Sequence, residues 1–297
     1  MKILLLGKNG QVGWELQRSL VPLGELIALD RAGKDGLCGD LTDLEGLRRT
    51  ISIVKPNIII NAAAYTAVDN AENDKVNTNI VNAQAPRVLA EEALKVDAWL
   101  VHYSTDYVFD GSGNNAWEEK DESNPLSEYG RSKLAGDQAI ENSGCKYLIF
   151  RTSWVFSSRG RNFAKTMLHL ANERQTLSVI NDQVGAPTSA ALLADCTAHA
   201  LLKAIRNPGL AGLYHLAAAG QTTWYEYAKF VIEQAQIAGK QLQVTAIKPI
   251  GTLDYPTPAK RPNNSKLSTD KFRTTFGLTL PEWQQGVIRM LDEINYN

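Results

Sequence analysis

The chain has 297 residues, 44% of them hydrophobic and 21% charged, with 31 basic side chains against 32 acidic ones. That length holds one large domain or about two ordinary ones, and the charged fraction excludes a disordered polymer. The net charge of −1 excludes a protein that coats nucleic acid or an anionic membrane, because either partner needs a basic excess.

Three cysteines, Cys38, Cys145 and Cys196, stand far apart without a C-x-x-C pair, which points to a reducing compartment. The four histidines have no metal-ligand spacing. The apolar run after Lys2 covers only residues 3–6, short of the ~7–15 of a signal peptide. No stretch reaches the ~18 apolar residues of a membrane span. A cytoplasmic protein is expected.

The first half alternates short apolar runs with amphipathic stretches. Residues 3–6 read as a buried strand, 11–23 as a helix, 26–29 as a strand, 44–54 as a helix and 58–60 as a third strand. The Ala- and Leu-rich stretch 83–94 reads as a helix, 99–103 as a strand, 128–141 as a helix and 147–150 as a fifth strand. This alternation predicts an α/β fold, a doubly wound parallel sheet of the Rossmann type. In the second half, 162–173, 190–205, 223–236 and 280–294 read as helices. Thr223 and Glu226 form a capping box, and Pro281 suits a first helical turn. Residues 177–180 and 212–216 read as strands, and the Pro-rich segment 249–262 as a loop. The expected division is a dinucleotide-binding domain over 1–155, with 176–216 returning to it, and a smaller interleaved lobe mainly within 156–297.

Gly7-Lys8-Asn9-Gly10-Gln11-Val12-Gly13 joins the first strand to the first helix as G-x-x-G-x-x-G. Gly7 serves the tight turn, Gly10 the approach of a pyrophosphate and Gly13 the packing of helix on sheet. The helix start at Gln11 and Val12 presents free N–H groups to phosphate. Asp30 ends the second strand, where an acid accepts ribose hydroxyls, and Arg31 beside it suits a 2′-phosphate, so NADH and NADPH both remain open. Asp40 and Leu41, the small residues Ala62, Ala63 and Ala64, and Tyr103 complete the expected cofactor set, at the carboxyl ends of strands.

Tyr129-Gly130-Arg131-Ser132-Lys133 places a tyrosine and a lysine on one helical face. A neighbouring ammonium lowers a phenol's pKa, which makes an acid/base pair. Tyr225 and Lys229 repeat the spacing, but only Tyr129 follows a strand that ends in a hydroxyl, Thr105. Thr105 is placed to bond a substrate oxygen.

These motifs, with Asn61-Ala62-Ala63-Ala64 and Ser104-Thr105-Asp106-Tyr107-Val108-Phe109, occur in the order of the extended short-chain dehydrogenase/reductases. Four further segments, at 150–155, 181–188, 212–216 and 261–267, are more specific. With them the whole chain resembles the dTDP-4-dehydrorhamnose reductase family. The resemblance implies hydride transfer from NADPH or NADH to the C4 ketone of a dTDP-4-keto-6-deoxy-L-hexose, in the supply of dTDP-L-rhamnose for polysaccharides. Tyr129 would protonate the oxygen, Lys133 would hold the nicotinamide ribose and keep Tyr129 acidic, and Thr105 would bond the reacting oxygen. Val68, Asp106, Tyr107 and Trp154 match sugar-pocket positions, and Arg261 suits the substrate diphosphate.

Some members resemble dimers bridged by a divalent cation held by three glutamates. Glu15 and Glu293 match, but the middle position is Ala191, so no metal is expected, and monomer and homodimer both stay open. Two other readings share the scaffold. A nucleotide-sugar epimerase or dehydratase is one; a dehydratase would show an Asp-Glu pair after the threonine, where Asp106 and Tyr107 stand. A non-catalytic NADP-binding regulatory subunit is the other; the presence of Thr105, Tyr129 and Lys133 together favours catalysis.

Overall fold

Ile3, Leu4, Leu5 and Leu6 are fully buried, as a strand covered on both faces must be. A computed structural model describes residues 1–295. Its strands are β1 (Lys2–Leu6), β2 (Glu25–Leu29), β3 (Ile58–Asn61), β4 (Trp99–Thr105), β5 (Lys146–Thr152) and β6 (Val155–Phe156). They continue as β7 (Thr176–Ile180), β8 (Val184–Gly185), β9 (Thr188–Ser189), β10 (Gly212–His215), β11 (Thr222–Thr223) and β12 (Ala246–Ile250). The first helices are α1 (Gln11–Leu20), α2 (Leu44–Val54), α3 (Val68–Ala71), α4 (Lys75–Asn79), α5 (Ala85–Lys95) and α6 (Glu128–Glu141). The rest are α7 (Phe163–Glu173), α8 (Ala190–Arg206), α9 (Trp224–Ile237), α10 (Asp270–Phe276) and α11 (Trp283–Asn295).

Six strands form one parallel sheet in the order β10-β5-β4-β3-β1-β2. One face buries Ile3, Leu5, Ile58, Ile60 and Val101 against α1 and α8. The other buries Leu4, Leu6, Ile59 and Leu100 beneath α2, α5 and α6. The winding reverses between β1 and β3, and a crevice opens beyond the carboxyl ends there. This is the expected doubly wound α/β architecture. No helix among the described residues is long and apolar enough to cross a membrane.

The second lobe has its own core, where Phe156, Tyr227, Trp283, Val287 and Met290 pack between α7, α9 and α11. Helix α8 covers one face of the six-stranded sheet and β10 adds the last strand, whereas β7 pairs with β12 in a separate two-stranded sheet. That pairing corrects the Pro-rich loop, since Pro249 lies within β12. A two-stranded sheet is all edge, so a residue without an N–H is tolerated. Three boundaries also move. The first helix ends at Leu20, before a 3₁₀ turn containing Pro22. The third long helix starts at Ala85 after a π-turn over Ile80–Gln84. The last begins at Trp283, because Pro281 instead accepts a hydrogen bond from the Ala219 amide.

The turn after β1 is set by backbone contact. Gly7 has φ +86°, and a Cβ there would lie 2.8 Å from the Ala63 amide nitrogen. A Cβ on Gly13 would lie 2.0 Å from the Gly7 carbonyl oxygen, so α1 starts directly against β1 only without a side chain. Gly13→Ala is expected to lower the unfolding free energy by about 1–3 kcal/mol, the usual cost of overpacking. Gly10→Ala is the control, since its added Cβ would meet only ordinary contacts, the nearest at 3.4 Å. Equal denaturation midpoints for the two variants would refute this account of the turn.

Candidate active site

A cleft of about 770 Å³ runs along the carboxyl edge of the sheet, between the glycine turn and the second lobe. It brings together Gly7, Gly10, Gln11, Val12, Ala62, Ala63, Ala64, Val68, Tyr103, Thr105, Asp106, Tyr107, Tyr129, Lys133 and Trp154. Gly13 is buried behind the turn. Asp30, Arg31, Asp40 and Arg261 are not among the lining residues, and Leu41 is buried in the core beneath α2.

The floor is built by strand parity and register. Leu100, His102 and Ser104 of β4 face α6, while the Tyr103 hydroxyl reaches Thr197 of α8 on the opposite side, 2.7 Å away. Register sets Asn61 beside His102 and Ser104 beside Arg151. Helix α6, capped by the Ser127 hydroxyl on the Gly130 amide, places Lys133 and Asp137 over these two pairs. Lys133 Nζ lies 2.9 Å from His102 Nε2 and donates to the Tyr103 carbonyl at 2.6 Å. Asp137 accepts from Ser104 at 2.8 Å and from Arg151 Nε at 3.2 Å. Burial lowers Lys133 to about 8 and raises Asp137.

Tyr129 sits one turn before Lys133, beside Thr105 in the cleft lining and edge-on to Tyr107, with ring centroids 5.7 Å apart. Thr105 also accepts from the Tyr107 amide at 3.1 Å and donates to Asp106 Oδ1 at 3.1 Å. The Lys133 nitrogen is turned to His102 and the Tyr103 carbonyl, and burial raises the Tyr129 pKa above its ordinary value. Burial also pushes Asp106 up to about 6. Among the described residues, Asp106 Oδ2 and Thr152 Oγ1 are buried atoms of cleft-lining residues without a protein partner.

The opposite wall comes from the second lobe. Trp154 has φ +48° and stacks on Trp224, ring centroids 3.6 Å apart. A Cβ on Gly185 would fall 2.7 Å from the Trp154 ring, so Trp154 is clamped on two sides. Trp224 was not singled out from the sequence; the only signal was its place directly after the Thr223 helix cap. His102, Asp137 and Arg151 were missed as well. By contrast Tyr225 lies on the outer side of α9, against β12, away from the cleft.

At the β2 end, Asp30 accepts from Asn9 at 2.8 Å and pairs with Lys8 at 3.3 Å, and these contacts with the Ala32 amide lower its pKa. Arg31 is 80% exposed and bonds Asp40 at 3.0 Å. Arg261 pairs with Asp69 of α3 at 2.7 Å. The turn fits a pyrophosphate. Gly10 caps α1 without a side-chain bond, and no acidic residue occupies the first turn. Glu15, Ala191 and Glu293 line a second cleft, of about 340 Å³. Arg18 sits on Asp195 at 2.8 Å and on Glu15 at 3.7 Å, and Arg289 pairs with Glu293 at 3.2 Å. No group of three metal-ligating side chains exists among the described residues.

The buried Asp137–Arg151 pair joins α6 to β5. Asp137→Ala strands a guanidinium that is 4% exposed, and is expected to cost about 3–5 kcal/mol of stability by chemical denaturation. A loss below about 1 kcal/mol, the value of a surface pair, would mean that the pair is not the fastening.

Known proteins resemble this chain over nearly its whole length. A family model described as the RmlD substrate binding domain matches residues 1–296. A dTDP-4-dehydrorhamnose reductase of Escherichia coli is 55% identical over 294 residues, covering 99% of this chain and 98% of that protein. The crystal structure of a dTDP-4-dehydrorhamnose reductase from Clostridium acetobutylicum superposes with a TM-score of 0.90 at 36% identity, covering 99% of this chain and all of that one. The Bacillus anthracis enzyme in complex with NADP gives a TM-score of 0.88 at 34% identity, with 99% and 100% covered. The chain belongs to the dTDP-4-dehydrorhamnose reductase family.

Proposed function

We propose that this protein reduces the C4 ketone of dTDP-4-dehydro-L-rhamnose to dTDP-L-rhamnose with NADH or NADPH. The observation that carries this reading is the Tyr129–Thr105 hydroxyl pair, held at the end of β4 in the crevice that opens opposite the glycine turn. A reduced nicotinamide supplies the hydride when bound. Gly7, Gly10, Gln11 and Val12 receive the pyrophosphate at the start of α1, and the small side chains of Ala62, Ala63 and Ala64 admit the cofactor over the sheet edge. Tyr103 lines the nicotinamide end, and Lys133 holds the nicotinamide ribose. Residues 156–297 supply most of the sugar-nucleotide side.

The Tyr129 hydroxyl gives its proton to the carbonyl oxygen as that oxygen gains charge, and burial keeps the phenol loaded for this step. Thr105 bonds the same oxygen and stabilises the developing charge. Val68, Asp106, Tyr107 and Trp154 enclose the sugar, and the unpartnered Asp106 Oδ2 suits a sugar hydroxyl. Arg261 meets the substrate diphosphate by exchanging its contact with Asp69. This reading includes no divalent cation: Ala191 stands where a third carboxylate would be, and Arg18 and Arg289 pair with carboxylates of the second cleft. Free thiols at Cys38, Cys145 and Cys196 support work in the cytoplasm.

Oxidation of reduced nicotinamide is expected only when a dTDP-4-keto-L-sugar is added, and no turnover with that sugar would overturn the assignment. Tyr129→Phe is expected to lose about 10²–10⁴-fold in kcat, while Tyr225→Phe keeps wild-type rates. Full activity in Tyr129→Phe would remove the phenol from the chemistry.

Asp30 favours NADH by accepting ribose hydroxyls, and Arg31 beside it favours NADPH through the 2′-phosphate. Arg31→Ala is expected to raise KM for NADPH about tenfold, the value of one charge-assisted hydrogen bond, and to leave KM for NADH nearly unchanged. Equal changes for the two cofactors would rule Arg31 out as the phosphate contact.

A further inference from the structure

Lys133 is 1% exposed, and its neighbours restrict which protons it carries. Asn61 and His102 are register partners on β3 and β4, both 1% exposed. The Asn61 carbonyl accepts from the Ala63 amide at 3.2 Å, in the turn that leaves β3. Its amide nitrogen therefore faces His102 Nδ1, 3.2 Å away. An amide N–H donates, so Nδ1 must hold a lone pair, and the proton of the neutral ring sits on Nε2. Nε2 is 2.9 Å from Lys133 Nζ. An Nε2–H is satisfied only by a lone pair, which an amine has and an ammonium lacks. The amine still donates to the Tyr103 carbonyl at 2.6 Å.

Charge balance points the same way. On α6 itself Lys133 faces Asp137 one turn later and the uncharged Tyr129 one turn earlier. From β4 it faces His102 and the Tyr103 carbonyl. From β5 comes Arg151, whose guanidinium already neutralises Asp137 at 3.2 Å. With Lys133 as an amine this buried group carries no net charge. As an ammonium it would leave one positive charge without a partner away from water, which is costly.

We propose that His102, with its tautomer set by Asn61, is a positioning residue that favours the amine form of Lys133 in the cofactor-free protein. Protonation of Lys133 then requires the imidazole proton to move from Nε2 to Nδ1 and the Asn61 amide to turn over. The pair thus works as a brake on the charge of the lysine. The burial that lowers Lys133 to about 8 and holds His102 well below its ordinary range acts in the same direction. The inference deepens the reading of Lys133 as the cofactor-holding residue, but its first test involves no turnover.

Long-range proton–nitrogen correlation spectra of the nitrogen-15-labelled, cofactor-free protein identify the His102 tautomer, with His102→Gln assigning the signals. The Nε2–H tautomer with bare Nδ1 is expected between about pH 8, where Lys133 gives up its proton, and about pH 9. An Nδ1–H tautomer or an imidazolium in that range overturns the proposal. The second arm is Asn61→Asp, whose carboxylate accepts from Nδ1–H and so presents a bare Nε2 to an ammonium. The basic limb of its kcat/KM profile is expected to move up by about 1 unit or more. An unmoved limb in folded Asn61→Asp overturns the coupling, and if that variant does not fold, the wild-type spectrum decides. A protein inactive on the dTDP-4-keto sugar would defeat the functional reading and leave the tautomer result standing.

Discussion

A row of polar side chains crosses an otherwise apolar sheet face beneath α6, and the cleft depends on it. Asn61, His102, Ser104 and Arg151 meet as two register pairs across β3, β4 and β5. Lys133 and Asp137, one helical turn apart, complete them from above. Replacing such a buried ionic cluster with well-packed apolar residues is often neutral or stabilising. Its value here is directional. Apolar packing tolerates small rotations of a helix, whereas two hydrogen-bonded pairs a turn apart fix its rotation and its slide along the strands. That fixation carries Tyr129 to the end of β4, against Thr105.

The other side of the cleft is fixed by different means. The turn at Gly7 and Gly13 leaves no room for a side chain, so α1 begins at the sheet edge. Gln11, in the first turn of α1, accepts from Asn162 at 3.1 Å and from Ser157 at 3.3 Å, which ties the helix start to the second lobe. Trp154 holds a left-handed backbone conformation that a bulky residue rarely adopts, clamped between Trp224 and Gly185. Backbone strain of this kind persists only where the surroundings over-determine it. Both walls are therefore preformed, and the residues that join them come from elements far apart in the chain.

What could be read from the sequence was local. Apolar runs gave the strands of the central sheet, because burial on both faces leaves no alternation to obscure them. The four-residue spacing placed Tyr129 and Lys133 on one face, and the hydroxyl that ends β4 distinguished this pair from Tyr225 and Lys229. Contacts that depend on register were not legible. His102 meets Lys133 across 31 residues, Asn61 meets His102 across 41, and Arg261 finds Asp69 across 192. The spacing of Tyr129 and Lys133 suggested that the lysine acts on the tyrosine. The fold gives the lysine nearer partners, and no local pattern contains them. Pro249 misled for the opposite reason, since a local rule against proline in strands does not hold where every strand is an edge.

The near-neutral composition acquires a meaning at the site. Apart from Lys133, the basic side chains named around the cleft already have carboxylates: Lys8 has Asp30, Arg31 has Asp40, Arg151 has Asp137 and Arg261 has Asp69. No broad positive field draws in phosphates, so an anionic ligand gains at these positions only the difference between its own contact and the one it replaces. The start of α1 is the exception, because its N–H groups carry positive dipole and no acidic side chain sits in the first turn. A diphosphate bound there gains the full contact. On the proposed reading the two diphosphates meet surroundings of unequal character: a preorganised one made of backbone at the start of α1, and an exchangeable one where Arg261 already pairs with Asp69.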